Sequence, residues 1–312
     1  MLTLLLPLIH VNFMKKITEI FNKRGRSLSF EVFPPKSSSS FDSVREATEK
    51  IASLSPSFMS VTYGAGGGTS KYTLDIAKNI QDNYGLPTLA HLTCVSSSRE
   101  TVSERIDDMK AAGIKNVMAL RGDIPEGMEN MPRDYRYAIE LIRDLRRSGG
   151  DFCIGGACYP EGHPESPSLE SDIHFLKEKM NAGLDFLTTQ MFFDDSLFLK
   201  FVDRASAAGI DASRIIPGIM PITSALQVER VVKLSGCYLP NKFITMIDKY
   251  GSDPVAMRQA GINYAVEQTA LMFQDGFNNV HIYTMNKPDV AGDIFSNLTS
   301  MLVNNEKNGL HK

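Results

Sequence analysis

Cysteine is scarce in this sequence. The four residues, Cys94, Cys153, Cys158 and Cys237, have neither CxxC spacing nor the density of a disulfide scaffold. That argues against a small secreted fold and for a reducing, cytoplasmic setting. Neither sign of charge is in excess: 33 Lys and Arg against 36 Asp and Glu leave a net charge of −3, and the basic residues are scattered along the chain. Such a chain has no field to gather a nucleic acid. The apolar opening segment is too short to span a bilayer, no basic stretch precedes it, and no small-residue cleavage site follows it. Met14, followed by Lys15 and Lys16, reads as an alternative start. Residues 1–13 are therefore expected to be an extension outside the fold, with residues 14–312 forming one domain.

Two nucleotide-binding signatures are also missing. The stretch "YGAGGGTS" (63–70) has glycines at 64, 66, 67 and 68, which do not fit GxGxxG, and no GxxxxGK[ST] occurs anywhere. The second absence excludes a P-loop, and the first weighs against an open, doubly wound sheet. Low-complexity linkers, heptad arrays and short-period repeats are lacking too. What remains is an ordinary globular composition, 43% hydrophobic and 22% charged, able to bury a sizeable core.

Eight β-rich runs alternate with longer amphipathic stretches: 27–33, 58–63, 88–94, 116–120, 152–159, 185–192, 214–219 and 280–284. Helices are predicted over 40–54, 98–112, 168–182 and 196–208. Each begins at a serine, and the last three stop at Gly113, Gly183 and Gly209. The interval between the seventh and eighth runs is about twice the others, which predicts extra helices over 241–250 and 253–274. The pattern is that of an α/β protein, a (β/α)8 TIM barrel with extra helices between strands 7 and 8.

In such a barrel the chemistry sits where the strands finish. The first run, "SFEVFPP", places a carboxylate in an apolar strand and closes it with Pro34 and Pro35. Alternation puts Leu28, Phe30 and Val32 on the helix side, and Ser29, Glu31 and Phe33 on the interior side. Glu31 thus points inward near the rim, where desolvation is expected to raise its pKa and make it a candidate general acid. The alternative is a structural ion pair, for instance with Arg121. The other strand ends carry Thr62 and Tyr63, His91, Arg121-Gly122-Asp123, Tyr159 to His163, Gln190 with Phe192, Pro221, and Tyr283 to Lys287. His91 alone reads equally as a hydrogen-bonded core residue. Arg121 to Asp123 reads equally as a solvated turn, and Phe192 as barrel filling beside a hydrogen-bonded Gln190. Histidines 91, 163 and 281 are scattered without HExxH, so no metal site is expected.

Taken together, "SFEVFPPK", "SVTYGAGGGTS", "HLTC", "ALRGD", "YPEGHPE", "LKEKMNAGLDFLTTQMFFD", "IIPGIMPI" and "HIYTMNK" resemble, in order and spacing, the methylenetetrahydrofolate reductase family over about residues 27–290. The resemblance implies a non-covalent FAD, reduction by NADH (or NADPH), and hydride transfer to 5,10-methylenetetrahydrofolate, the two substrates using one site in turn. It implies Glu31 as the acid that protonates N10, and Asp123 as a carboxylate beside flavin and pterin. It further implies flavin contacts from Thr62, His91, Arg121, Gly122, Asp123, Tyr137, Ala138, Tyr159, His163, Asp172 and Lys179. Substrate contacts would come from Asp123, Gln190, Phe192, Gln227 and Lys287. Two positions depart from the family pattern: Glu178 where a basic residue is frequent, and Lys287 where Arg is frequent, which loses a bidentate fork for a carboxylate. The partners expected are the two small-molecule substrates and further copies of the chain in a homo-oligomer, with no nucleic acid and no membrane. Because the chain ends soon after its eighth unit, no large regulatory domain is expected. The competing readings are a TIM-barrel aldolase or synthase, for which no Schiff-base lysine stands out, and a folate-binding barrel that does not reduce.

Overall fold

The computed structural model describes residues 14–23, 25–35, 40–63, 70–124, 127 and 131–303. The opening segment 1–13 and the glycines at 64, 66, 67 and 68 lie outside the described residues. The strands are β1 (Ser27–Val32), β2 (Met59–Val61), β3 (Thr88–Thr93), β4 (Asn116–Leu120), β5 (Cys153–Cys158), β6 (Phe186–Thr189), β7 (Ile215–Ile216), β8 (Gly218–Ile219) and β9 (Asn279–Tyr283). The helices are α1 (Ile17–Phe21), α2 (Phe41–Ala52), α3 (Ser70–Tyr84), α4 (Arg99–Ala111), α5 (Ala138–Arg147), α6 (Leu169–Asn181), α7 (Asp195–Ala207), α8 (Ala225–Ser235), α9 (Asn241–Tyr250), α10 (Pro254–Gln274) and α11 (Pro288–Val303).

Every strand pairing is parallel, in the order β7-β6-β5-β4-β3-β2-β1-β9-β8. The seventh run of the sequence appears as two short pieces because Pro217 has no N–H to give to a ladder. Its carbonyl still accepts from His281 N at 3.0 Å. Since β7 pairs with β6 and β8 with β9, continuity through Pro217 brings the two ends of the sheet together as a (β/α)8 barrel. Gly218 is required at that junction: a Cβ there would lie 2.5 Å from the Thr189 carbonyl oxygen and 2.6 Å from the Tyr283 hydroxyl.

Helix ends follow their capping residues. Ser98 and Ser168 accept the amides of Thr101 and Ser171, each at 3.1 Å. Helix α7 starts ahead of the expected Ser196 because the Asp194 carboxylate takes the Ser196 amide at 2.9 Å. Gly113, Gly183 and Gly209 all have positive φ and donate back to the last turns of α4, α6 and α7.

The main core lies between strands and helices, and in β1 it takes Leu28, Phe30 and Val32, all buried. A second cluster inside the barrel joins Phe58, Leu89, Met118, Cys153, Phe186 and Ile216 to Ile17 of α1. Asn116 fastens α1 there, accepting Ile17 N at 2.8 Å and donating to Lys15 O at 3.2 Å. With α1 and this apolar layer at the strand starts, the polar end of the interior is the one at the strand C-termini. Between β8 and β9 the chain forms α8, α9 and α10, which share a third cluster around Phe193, Ile222, Phe243 and Met257. Among the described residues no helix is long and apolar enough to cross a membrane.

Candidate active site

Glu31 occupies the inward face of β1, level with Ser60 on β2 and Tyr283 on β9. Its Oε2 accepts from Ser60 Oγ at 3.2 Å and lies 3.6 Å from His91 Nε2 and 3.7 Å from His281 Nε2. A fifth of the side chain (20%) is exposed, against 8% for His91 and 3% for His281. The two histidines that look scattered in the sequence therefore converge on one carboxylate. The ion pair considered with Arg121 does not form, because Arg121 grips Glu165 through both terminal nitrogens, Nη2 to Oε1 at 2.7 Å.

The expected upward shift of Glu31 is reversed. Burial does push its carboxyl up, but the nearby His281 ring, the charges of His91 and His281 and the bond from Ser60 outweigh burial and hold it below the usual value. His91 itself is driven down to about 4, chiefly by burial, so near neutral pH it is an uncharged ring. At that pH the donor seen on the carboxylate is the Ser60 hydroxyl.

The backbone around Glu31 is clamped by the loop after β9. Thr284 Oγ1 donates to Glu31 O at 2.6 Å. The Asn286 side chain accepts Phe33 N and donates to Phe33 O, both at 2.9 Å. Met285 and Asn286 both sit at φ 53°. Asn tolerates that left-handed region, whereas Met bears a strain of about 1 kcal/mol or more. The same loop delivers Lys287, whose Nζ donates to Thr223 Oγ1 at 2.8 Å. Gln227 meets the same residue, its Oε1 accepting Thr223 N at 3.0 Å while its Nε2 donates to Pro221 O at 3.1 Å. Gln227 and Lys287 are thus joined through Thr223.

A second group gathers after β4 and β5. Arg121 Nε also donates to Gly122 O at 3.1 Å. Gly122 has φ +84°, and a Cβ on it would come within 3.0 Å of Thr93 Cβ. Asp123 is exposed, and its charge acts on both Arg121 and Tyr159. Burial, with Asp123 adding to it, pushes the Tyr159 phenol up to about 12. The Tyr159 ring meets His163 edge-on at 4.7 Å. His163 Nδ1 accepts the Glu165 amide at 3.1 Å, and the His163 amide donates to Asp172 at 3.2 Å. Lys179, at the end of α6, donates to Ala157 O at 2.9 Å, and burial lowers its pKa.

Other expected residues stand apart from these groups. Thr62 donates its amide to Val32 O at 3.0 Å, just beyond β2. Tyr137 is 64% exposed at the start of α5, and Ala138 opens that helix. The Gln190 side chain accepts Met191 N at 3.3 Å and lines a small cavity with Tyr159 and Glu161. Phe192 packs toward α7. It is fully buried and stacks face to face on Phe198 of α7, with centroids 4.8 Å apart. Strand β6 ends at Thr189, so the alternation that paired Phe192 with Gln190 stops before either residue. Glu178 faces solvent 3.8 Å from His174.

Sequence reasoning missed Ser60, His281 and the Thr284–Asn286 clamp. Alternation in "VHIY" would have placed His281 and Tyr283 on one face of β9, and Ser29 already stood on the inward face of the first run.

A family model described as methylenetetrahydrofolate reductase matches residues 16–299. A 5,10-methylenetetrahydrofolate reductase of Pectobacterium carotovorum subsp. carotovorum is 37% identical over 271 residues, covering 86% of this chain and 89% of that one. A maize protein named methylenetetrahydrofolate reductase (NADH) 1 is 33% identical over 298 residues, 91% of this chain but 50% of its own length. Among solved structures, a Clostridium thermocellum protein described as binding two copies of 5-methyl-5,6,7,8-tetrahydrofolic acid superposes with a TM-score of 0.58, covering 89% of this chain and 98% of that one. At 13% identity it shows the fold alone. With the family model spanning nearly the whole barrel and a relative at 37% identity aligned over most of both lengths, this chain belongs to the methylenetetrahydrofolate reductase family.

Proposed function

We propose that this barrel reduces 5,10-methylenetetrahydrofolate to 5-methyltetrahydrofolate with electrons from NADH, passed through a non-covalently held FAD, the two substrates occupying the mouth in turn. The observation that carries the reading is the inward Glu31 carboxylate at the C-terminal mouth, braced by Ser60 and His281 in a chain of this family. The maize relative's NADH designation supports the choice of nicotinamide.

The residues present fit the cofactor by the chemistry of their donors. Arg121 already holds a carboxylate with two nitrogens, the geometry that suits a phosphate, and its partner Glu165 is 56% exposed and free to swing away. Lys179 adds a second cation, while Tyr159 and His163 supply rings beside it. With Thr62, His91, Gly122, Asp123, Tyr137, Ala138 and Asp172, these are the groups we assign to FAD. When bound, FAD supplies two-electron hydride chemistry between nicotinamide and the folate methylene carbon.

Glu31 protonates folate N10, so that the five-membered ring opens to a cationic iminium. Asp123 favours that cation electrostatically and takes a hydrogen bond from the pterin. Gln190 and Gln227 orient the heteroaromatic ring, and Lys287 pairs with a folate carboxylate. In the open mouth Glu31 favours its ionised form. A ligand that covers its exposed fifth removes the remaining water, and the rising burial cost moves the carboxyl toward the protonated form needed for donation.

The test separates the two half-reactions. Glu31→Gln is expected to leave anaerobic reduction of the flavin by NADH within about threefold of wild type and to slow reoxidation by methylenetetrahydrofolate by about 100-fold or more. Equal losses in both would remove the acid role from Glu31.

A further inference from the structure

Glu31 is faced by groups from each strand around it. Strand β2 presents Ser60, β3 presents His91, and β9 presents His281 and Tyr283. Tyr283 commits its hydroxyl to Thr189 O at 2.5 Å, and burial followed by the Glu31 charge keeps the phenol protonated. His91 is uncharged near neutral pH. His281 is bonded at both ring nitrogens. Ser29 Oγ lies 2.7 Å from its Nδ1 and Ser60 Oγ 3.1 Å from its Nε2. Ser60 Oγ in turn reaches Glu31 Oε2 at 3.2 Å, and Ser29 Oγ reaches Val280 O at 3.2 Å. The imidazole stacks on Phe58 with ring planes 5° apart and meets Tyr283 edge-on, so it is packed on two sides.

This unbroken line, Val280 O, Ser29, His281, Ser60, Glu31, has two complete settings for one added proton. In the first, His281 carries hydrogen on both nitrogens. Nδ1–H donates to Ser29, whose hydroxyl donates to Val280 O, while Nε2–H donates to Ser60, whose hydroxyl donates to the Glu31 carboxylate. In the second, the Nε2 hydrogen has passed to Ser60 and the Ser60 hydrogen to Glu31. Glu31 is then a neutral acid that donates to Ser60, the Ser60 hydroxyl now donates to Nε2, and His281 keeps only Nδ1–H. Two O–H or N–H bonds break and two form, the total charge is unchanged, and no group is left unpaired in either setting.

We propose that His281 is a second seat for the proton that Glu31 donates, exchanging it with Glu31 through the Ser60 hydroxyl. The inference rests on the reading of Glu31 as the acid. An open, wet mouth favours the charged setting. Covering the mouth favours the neutral one, because separated charges lose more hydration than a neutral pair. Folate binding then arms Glu31 without drawing a proton from solvent at that moment. His281 touches neither substrate and acts only through Ser60 and Glu31.

The deciding measurement does not need folate. In protein labelled with 15N-histidine, His281 of wild type is expected to carry hydrogen at Nε2 near neutral pH. Glu31→Gln, whose amide imitates the neutral acid by donating to Ser60, is expected to move His281 to the Nδ1–H form. Ser60→Ala should uncouple the ring from the residue at position 31. The same tautomer in wild type and Glu31→Gln overturns the proposal. As a second arm, His281→Gln is expected to shift the alkaline limb of reoxidation by methylenetetrahydrofolate down by about one pH unit or more, about a tenfold loss at the alkaline end, with reduction by NADH unchanged. A uniform loss at all pH values would make His281 merely structural. If wild type is not reoxidised at any pH, the functional reading fails, and the tautomer arm still decides the proton chain.

Discussion

Two neighbouring side chains in the barrel mouth respond to acid in the same direction. His91 has a folded-state value of about 4 against 6.5 when exposed, so between those limits the unfolded chain binds more protons and stability falls as pH is lowered. Glu31 is held below 4.5, so its contribution is present above that value and is lost as pH falls through the lower, folded one. Denaturant titrations without added ligand are expected to show wild type losing on the order of 2 kcal/mol from His91 between about pH 7 and pH 5, a loss that His91→Gln removes. An unchanged acid dependence in that variant would mean that the folded protein keeps His91 protonated. The inward position of Glu31 was legible from alternation alone, because β1 obeys it throughout. Its protonation was not legible, because the groups that reverse the burial effect arrive from β2, β3 and β9. A single strand read in isolation shows burial and hides partners.

At the scale of elements, the same logic explains what alternation missed. The run 185–192 reads as one strand, yet β6 stops at Thr189 and the chain turns, carrying Phe192 out of register to the α7 side. Phe192→Ala is therefore expected to cost about 3–5 kcal/mol in equilibrium unfolding, as for other large core truncations, with no selective rise in the KM for folate. A variant with wild-type stability and a folate-specific KM defect would restore Phe192 to the pocket. Caps were easier to read than strand ends, since Ser98 and Ser168 with Gly113 and Gly183 act locally through their own backbone neighbours. The division of the seventh run at Pro217 follows from proline chemistry that the sequence displays. The closure that makes it tolerable depends on Gly218 meeting Thr189 and Tyr283, contacts distant in sequence.

For the whole molecule, eight parallel strand positions around an interior that is apolar at the α1 end put Glu31 beside His91, and Arg121 near Tyr159, at strand ends of the opposite mouth. The resemblance to the family singles out these residues in the sequence, whereas the Ser29–His281–Ser60 line emerges only when β1, β2 and β9 are side by side. On the proposed reading, FAD that binds only the folded barrel stabilises it by about 2.7 kcal/mol at 100 times its Kd, seen as a concentration-dependent rise in Tm. The most direct test is a visible spectrum of the purified protein, recorded under anaerobic conditions before NADH, after NADH and after 5,10-methylenetetrahydrofolate. The expected sequence is a yellow flavin spectrum, bleached by NADH and restored by the folate. A colourless protein that FAD cannot reconstitute, or a reduced flavin that the folate fails to reoxidise, would contradict the account.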